Sequence, residues 1–353
     1  MAKIAIIGAG PAGIFCALKL IEFIKNADIT IFDKNKPLLT LLPTGNGRCN
    51  LSHDEPDNKE FAKFYPRGEK FLYSVFARYN FENTVSDFKK LGINTYTQKD
   101  KRIFPESNSA YDVRIKLLNS IKNKVKFIKK EITHPLEGFD YTVLAVGLKS
   151  DGEPAKKYGL KMTELRPALS GLKIKEKEFT ALEGVSFGGV IFTKCGVSGP
   201  YIYKLSSYNA YKDFPYEIKI PLIQIEKLKE EMKNNPKKLF KNVVSNFIPK
   251  SLANLLIKND KQCANVSNKE INELEFLHLT ATGRDNKGEI VHAGGVCLKE
   301  IDKNFKVKDK NLWIIGELTD IDGLTGGFNL QLCWSSAYIA AKDIADKINS
   351  DDI

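Results

Sequence analysis

Gly8-Ala9-Gly10-Pro11-Ala12-Gly13 follows directly on Lys3-Ile4-Ala5-Ile6-Ile7 and leads into a stretch with Ile14, Ala17, Leu18 and Ile21 at helical spacing. The β-branched run predicts a buried parallel strand, and the four apolar residues share one face of a helix. A second apolar run, Asp28-Ile29-Thr30-Ile31-Phe32, ends at Asp33. Strand, glycine turn, helix and strand in that order predict a βαβ unit of parallel sheet. Each part has a physical reason. Gly8 permits the tight turn, Gly10 lets backbone approach a pyrophosphate, and Gly13 lets helix and strand close together. Pro11 and Ala12 open the helix, whose free N–H groups and partial positive charge suit phosphate. Asp33, followed by Lys34, lies 20 residues after Gly13, where a carboxylate accepts from ribose hydroxyls. The unit predicts dinucleotide binding and does not by itself separate FAD from NAD(P).

Beyond the second strand lies Pro43-Thr44-Gly45-Asn46-Gly47-Arg48-Cys49-Asn50-Leu51-Ser52. Its glycines suggest close backbone approach to a ligand. Arg48 offers a planar cation for phosphate or carboxylate. Thr44, Gly47, Arg48, Cys49 and Asn50 are therefore candidate ligand contacts.

The 353 residues suffice for two or three domains, and 42% hydrophobic with 27% charged residues exclude a disordered or fibrous chain. No apolar run approaches the ~20 residues that span a bilayer. The N-terminus does not have the form of a signal peptide, so the expected compartment is the cytoplasm and no membrane partner is expected. Cysteines at 16, 49, 195, 263, 297 and 333 form no C-x-x-C pair, and His53, His134, His278 and His292 show no ligand spacing. Neither a disulfide framework nor a metal site is expected. The formal charge is +11, and residues 219–261 hold ten lysines against four acids. With only Phe240 and Phe247 among them, these lysines read as a solvated face rather than a nucleic-acid surface.

Three stretches together carry a resemblance: Thr44 to Ser52 (TGNGRCNLS), Gly188 to Ser206 (GGVIFTKCGVSGPYIYKLS) and Gly316 to Ala341 (GELTDIDGLTGGFNLQLCWSSAYIAA). Arg102 to Ser107 and Gly294-Gly295-Val296 add to it. The chain resembles the bacterial HI0933-like (YhiN/BaiN-like) flavoprotein family, also labelled aminoacetone-oxidase-like, over essentially its whole length. The resemblance implies an α/β fold: a two-part Rossmann-like FAD-binding domain with a parallel sheet, interrupted by an inserted β-rich domain carrying a helical excursion. The expected parts are 1–150 and 281–353 for the FAD domain and 151–280 for the inserted substrate or cap domain.

Residue by residue, Asp140 to Gly147 reads as a buried strand closing the first FAD half, with Ala145 and Gly147 as contacts. Leu312 to Ile315 is a further strand ended by Gly316-Glu317; an acid there lies in the ligand crevice, and the resemblance gives Glu317 the ribityl chain. Gly326-Gly327-Phe328-Asn329-Leu330 opens a helix running through Ala341, whose N–H groups would face the flavin pyrimidine edge and stabilise negative charge on the reduced ring. The chain departs from the family at Val146 and Leu148, where an Ala-Thr-Gly-Gly-like sequence is usual, and between Lys124 and Tyr141, which leaves room for only a stub of β-meander. Within the insert, Val185 to Thr193 and Tyr216 to Ile220 read as strands, Ile225 to Asn234 and Pro236 to Asn246 as helices, and Pro200 as a helix start.

The implied activity is that of an FAD-dependent oxidoreductase acting on an unidentified small organic substrate, with flavin N5 as hydride acceptor or donor. NAD(P)H is the candidate electron donor, approaching the flavin directly because the insert holds no second glycine fingerprint. No acid–base pair is evident; Cys49 and His292 are the weak catalytic candidates. The rival readings are a flavoprotein acting on RNA through its basic insert and a non-catalytic flavin-binding protein. Oligomeric state is not encoded in any of these features.

Overall fold

The computed structural model describes residues 1–148, 152–285 and 291–351. The expected boundary at 150/151 lies outside the described residues. The chain divides into two compact units, Met1–Arg166 with His292–Ile353, and Pro167–Val291.

In the first unit the apolar run Ala2–Ile7 is the central strand of a five-stranded sheet. Its neighbours are Ala27–Asp33 on one side and Tyr141–Leu144 on the other, with Ile4 opposite both Ile29 and Tyr141. Leu312–Ile314 and Lys126–Lys129 form the two edges, and every pairing is parallel. Ile4, Ala5 and Ile6 have no exposed surface, as a parallel strand covered on both faces requires. The helix Pro11–Phe23 is buried nearly all round, from Ala12 to Leu20, rather than along one stripe. The cause is the 24-residue C-terminal helix Phe328–Asp351, which lies against it. Phe15 meets Trp334 at 5.3 Å and Phe23 meets Tyr338 at 5.5 Å between ring centroids.

That enclosure traps Lys19, which is 2% exposed. Its ammonium reaches Asp87 at 2.6 Å and Glu22 at 2.7 Å. Asp87, on the helix Phe81–Lys90, also accepts from the Tyr79 hydroxyl and from Lys90. A buried charge is tolerable only with such partners.

The edge strand Lys126–Lys129 is exposed throughout. Its lysines guard Phe127 and Ile128 from further strand pairing. Residues 130–140 then return to Tyr141 with no strand at all, tied at their ends by Lys130 N–H to Asp33 O and Asp140 N–H to Lys3 O. The expected stub of meander is therefore a plain connection, because so short a return cannot pair with itself and span the sheet. The strands Ser52–His53, Arg102–Pro105 and Thr95–Thr97 form a small sheet of this unit, and Met162–Ala168 pairs with Val291–Val296 where the chain passes from one unit to the other.

The second unit is built on a six-stranded antiparallel sheet around Gly171–Ile174 and Phe276–Asp285. Tyr216–Pro221 alternates buried and exposed residues along its length, as a strand with one covered face does. The expected strand Val185 to Thr193 is in fact two, Ser186–Phe187 and Val190–Thr193, turning at Gly188 and Gly189 with φ of +53° and +81°. Ile225–Asn234 and Pro200–Tyr208 are helices as expected. The expected helix Pro236 to Asn246 shrinks to Phe240–Val244. Residues 236–239 instead run beside Lys261 to Cys263, with Phe240 N–H donating to Lys261 O and Cys263 N–H to Lys238 O. Long-range pairing there overrides helix propensity. Among the described residues no helix is long and apolar enough to cross a membrane.

Candidate cofactor site

The glycine turn is held on three sides. Gly8 has φ +108°, and a Cβ there would lie 2.3 Å from Ala145 O; a Cβ on Gly13 would lie 1.9 Å from Gly8 O. Strand, turn and helix thus meet where no side chain fits. Gly10 differs: a Cβ there would meet only Thr40 Oγ1, at 3.7 Å. The space over Gly10 is open, so this glycine leaves room for something outside the protein's own packing.

Asp33 clamps this turn. One carboxylate oxygen accepts from Ala9 N–H and the other from Asn35 N–H, each at 2.7 Å. Each oxygen keeps a lone pair for a hydroxyl. Lys34 turns away to pair with Glu131, both half-exposed.

Gly316, at φ +67°, brings its α-carbon against the first helix; a Cβ would stand 2.9 Å from that of Ala12. Its N–H donates to Ser336 Oγ, and Glu317 beside it is exposed. Cys333 lies under this contact. Burial pushes its thiol up, against the amides of Glu317 and Ala12.

A second constellation forms at the start of the C-terminal helix. Gly326 and Gly327 have φ of +133° and +96°. A Cβ on Gly327 would sit 2.5 Å from Ser52 O and 2.8 Å from Asn50 Oδ1. Asn50 is 7% exposed, and its Oδ1 is buried without a hydrogen-bond partner. An amide oxygen so placed is costly unless a ligand or water completes it. Phe328 is buried among Phe61, Phe64 and Tyr65, with the Tyr65 hydroxyl donating to its carbonyl at 2.7 Å. Asn329 spends its side chain on Gly323, accepting from the N–H and donating to the carbonyl, and Leu330 is buried. Gln331 accepts from Ser52 and Thr84 and donates to Ser335, locking the helix to the short strand Ser52–His53.

In the loop between, Gly45, Asn46, Gly47 and Cys49 all have positive φ. Thr44 Oγ1 donates to Leu41 O, and Gly47 faces open space. The Arg48 guanidinium lies 4.3 Å over the Phe104 ring, and its Nε donates to Gly45 O at 3.3 Å, an arrangement that commits one edge of the group and leaves its terminal N–H groups for a ligand. Cys49 is fully buried and its thiol is pushed up to about 12 by burial, partly offset by Thr44. It is a protonated, packed thiol at neutral pH. In an alkylation series on the native protein, exposed Cys195 will react first, while Cys16, Cys49 and Cys333 will stay unmodified until denaturant is added. Rapid native labelling of Cys49 would contradict its burial.

At the end of Tyr141–Leu144, Ala145 packs on Gly13, and Gly147 takes φ +62° with nothing within 4 Å of a Cβ. Val146 is half-buried and Leu148 buried. His292 is half-buried in the strand Val291–Val296, and its ring makes no hydrogen bond among the described residues. Ser52, His53, Gln331 and Tyr65 take part in the second constellation without having been singled out from the sequence as contacts. A two-residue strand has no periodicity to betray it.

The model of the HI0933-like protein Rossmann domain matches residues 2–343. The chain belongs to the HI0933-like family. It is 27% identical to the ribosomal RNA dihydrouridine synthase of Haemophilus influenzae, over 96% of this chain and 98% of that protein. It is 25% identical to the 3-dehydro-bile acid delta(4,6)-reductase of Clostridium scindens, over 98% of this chain and 100% of that protein. Among solved structures, quinol fumarate reductase FrdA of E. coli shares the fold at a TM-score of 0.52 and 12% identity, covering 99% of this chain and 72% of that one. In this HI0933-like chain, open Gly10 and orphaned Asn50 Oδ1 are the features that suit a dinucleotide with a hydrogen-bonding ring system.

Proposed function

We propose that this HI0933-like protein binds FAD non-covalently and is an FAD-dependent oxidoreductase. The observation that carries the reading is Asn50: a buried, unpartnered amide oxygen beside Gly327, at the start of a 24-residue helix. Bound FAD supplies flavin N5 as hydride donor or acceptor. The chain's own groups then bind and orient. Gly10 admits the pyrophosphate to the first helix, the spare lone pairs of Asp33 take ribose hydroxyls, and Arg48 offers its terminal N–H groups to a phosphate. Glu317 is exposed beside Gly316 for the ribityl chain. The amides opening the C-terminal helix, from Gly327 onward, favour negative charge at the ring's pyrimidine edge. Asn329 and Cys49 act as supports, since the side chain of one is committed to Gly323 and the other is enclosed.

The direction is reductive, toward a carbon–carbon double bond next to a carbonyl. Both curated relatives carry names that describe saturation of such bonds. NAD(P)H is the proposed electron donor, and six unpaired cysteines suit a reducing compartment such as the cytoplasm. The purified protein should carry a flavin absorbance that bleaches anaerobically with NADH or NADPH in stopped flow. A protein with no flavin, and none taken up on titration with FAD, would sink the reading.

A second reading places the reducible ring in RNA. It is favoured by the ten lysines of residues 219–261 together with the name of the Haemophilus influenzae relative. Binding of ribosomal RNA fragments that weakens steeply with salt supports it; retention indifferent to salt, or none, counts against it.

A further inference from the structure

His53 lies directly against the turn that opens the C-terminal helix. Its Nδ1 is 3.2 Å from Gly326 O, and its ring lies 4.7 Å from Phe328 and 5.5 Å from Phe64. A carbonyl only accepts, so Nδ1 carries the proton and donates. That contact fixes the tautomer: in the neutral ring Nε2 keeps its lone pair. Among the described residues Nε2 makes no hydrogen bond. The ring is half-buried, and a Cβ on Gly326 would come to 3.5 Å from Nδ1. His53 is thus a held proton acceptor in direct contact with the Gly326–Gly327 turn and three residues along the chain from Asn50.

We propose that His53 takes up a proton when the bound flavin is reduced, so that its imidazolium offsets the charge gathering at the pyrimidine edge. The inference rests on the FAD reading above. Two-electron reduction of a flavin at neutral pH puts one proton on N5 and leaves one negative charge at N1 and the neighbouring carbonyl. With His53 beside that edge, a second proton enters from solvent and binds Nε2. Two electrons and two protons are then consumed, and the reductant is any two-electron donor, dithionite in the test below.

The surroundings favour such a switch. Burial holds His53 below its ordinary value, with Lys101 acting the same way and the Gly326 carbonyl, Asp100 and Glu55 acting against. These charges largely answer one another: Lys101 pairs with Glu55 at 2.9 Å, and Arg102, opposite His53 in the sheet, pairs with Asp100 at 2.7 Å. Next to Phe64, Lys63 pairs with Glu60. The partial positive charge of the helix start also keeps the ring neutral until opposite charge arrives. A new negative charge nearby raises a histidine pKa.

The test is the pH dependence of the flavin midpoint potential in the FAD-loaded protein, beside FAD affinity measured separately. Between the oxidised-state and reduced-state pKa of His53 the wild-type slope should be twice that of His53→Gln, which cannot hold the proton. Equal slopes in two variants that both bind FAD overturn the proposal while leaving the FAD reading intact. Wild-type protein that binds no FAD overturns both. If His53→Gln fails to fold, the wild-type protein alone decides. Its His53 ring resonances, assigned through variants of His134, His278 and His292, should titrate at higher pH in the reduced state than in the oxidised state. An unchanged titration overturns the proposal.

Discussion

Gly10→Val will remove FAD from the protein and leave its fold in place. Gly10 sits at φ −77° and ψ −174°, extended backbone that a β-branched residue adopts without strain. The added Cβ meets no protein atom closer than Thr40 Oγ1, at 3.7 Å, and points into the open space above the turn. If that space receives the pyrophosphate, affinity should fall at least ~100-fold, about 2.8 kcal/mol, with the melting temperature of the apoprotein unchanged. Gly13→Ala is the reverse case. Its Cβ would overlap Gly8 O at 1.9 Å, so the helix must move off the strand, at a cost of roughly 1–3 kcal/mol or more to the fold itself. Equilibrium dialysis with FAD and thermal melts of both apoproteins separate the two effects. Wild-type affinity in Gly10→Val would remove the pyrophosphate from this turn.

Asp87→Ala should lower stability by about 3–5 kcal/mol, the range for leaving a buried charge without its partner. Lys19 is 3% exposed at its side chain and would keep only Glu22, which is 42% exposed. Tyr79, also buried, would lose its acceptor. The pH dependence follows. Burial alone would raise the Asp87 carboxyl, but hydrogen bonds from Lys19 and Lys90 outweigh it and hold the group below its ordinary value. A carboxyl that titrates lower in the folded state stabilises fully above the unfolded value of ~3.9, and that stability is lost as pH falls through the folded one. The variant should therefore lose part of the wild type's acid-induced destabilisation. Urea unfolding at pH 7 and at successively lower pH measures both quantities; a loss under 1 kcal/mol at pH 7 would show that the pair is dispensable.

Local pattern made much of the first unit legible. Glycine spacing, a β-branched run and an acid at the right distance marked Ala2–Ile7, Pro11–Phe23 and Ala27–Asp33, because turn sterics and hydrophobic period act within a few residues. Lys19 was not legible: its partner is 68 positions away on another helix, and nothing local distinguishes it from a solvated lysine. The same holds for Ser52 and His53, whose strand exists only through pairing with Ile103 and Arg102. Residues 236–239 carry helical residues yet follow Lys261 to Cys263, an interaction invisible along the chain. At the candidate site, motif reading picked out Asn50, Gly326 and Gly327. It did not anticipate that Asn329 is occupied by Gly323 or that Asp33 already clamps Ala9 and Asn35, since both depend on where backbone amides arrive.

The order in which the ribosome delivers this chain matters for the long C-terminal helix. Pro167–Val291 is continuous and emerges complete. The parallel sheet, by contrast, waits for Leu312–Ile314 to line the far side of Tyr141–Leu144, and Phe15 and Phe23 wait for Trp334 and Tyr338. At about 5–20 residues per second the gap from Leu144 to Leu312 lasts roughly ten to thirty seconds. Throughout it the first helix presents an uncovered apolar surface to the cell. A nascent chain stalled or truncated before Phe328 is thus a substrate for holding chaperones and proteases, however well its middle portion has folded.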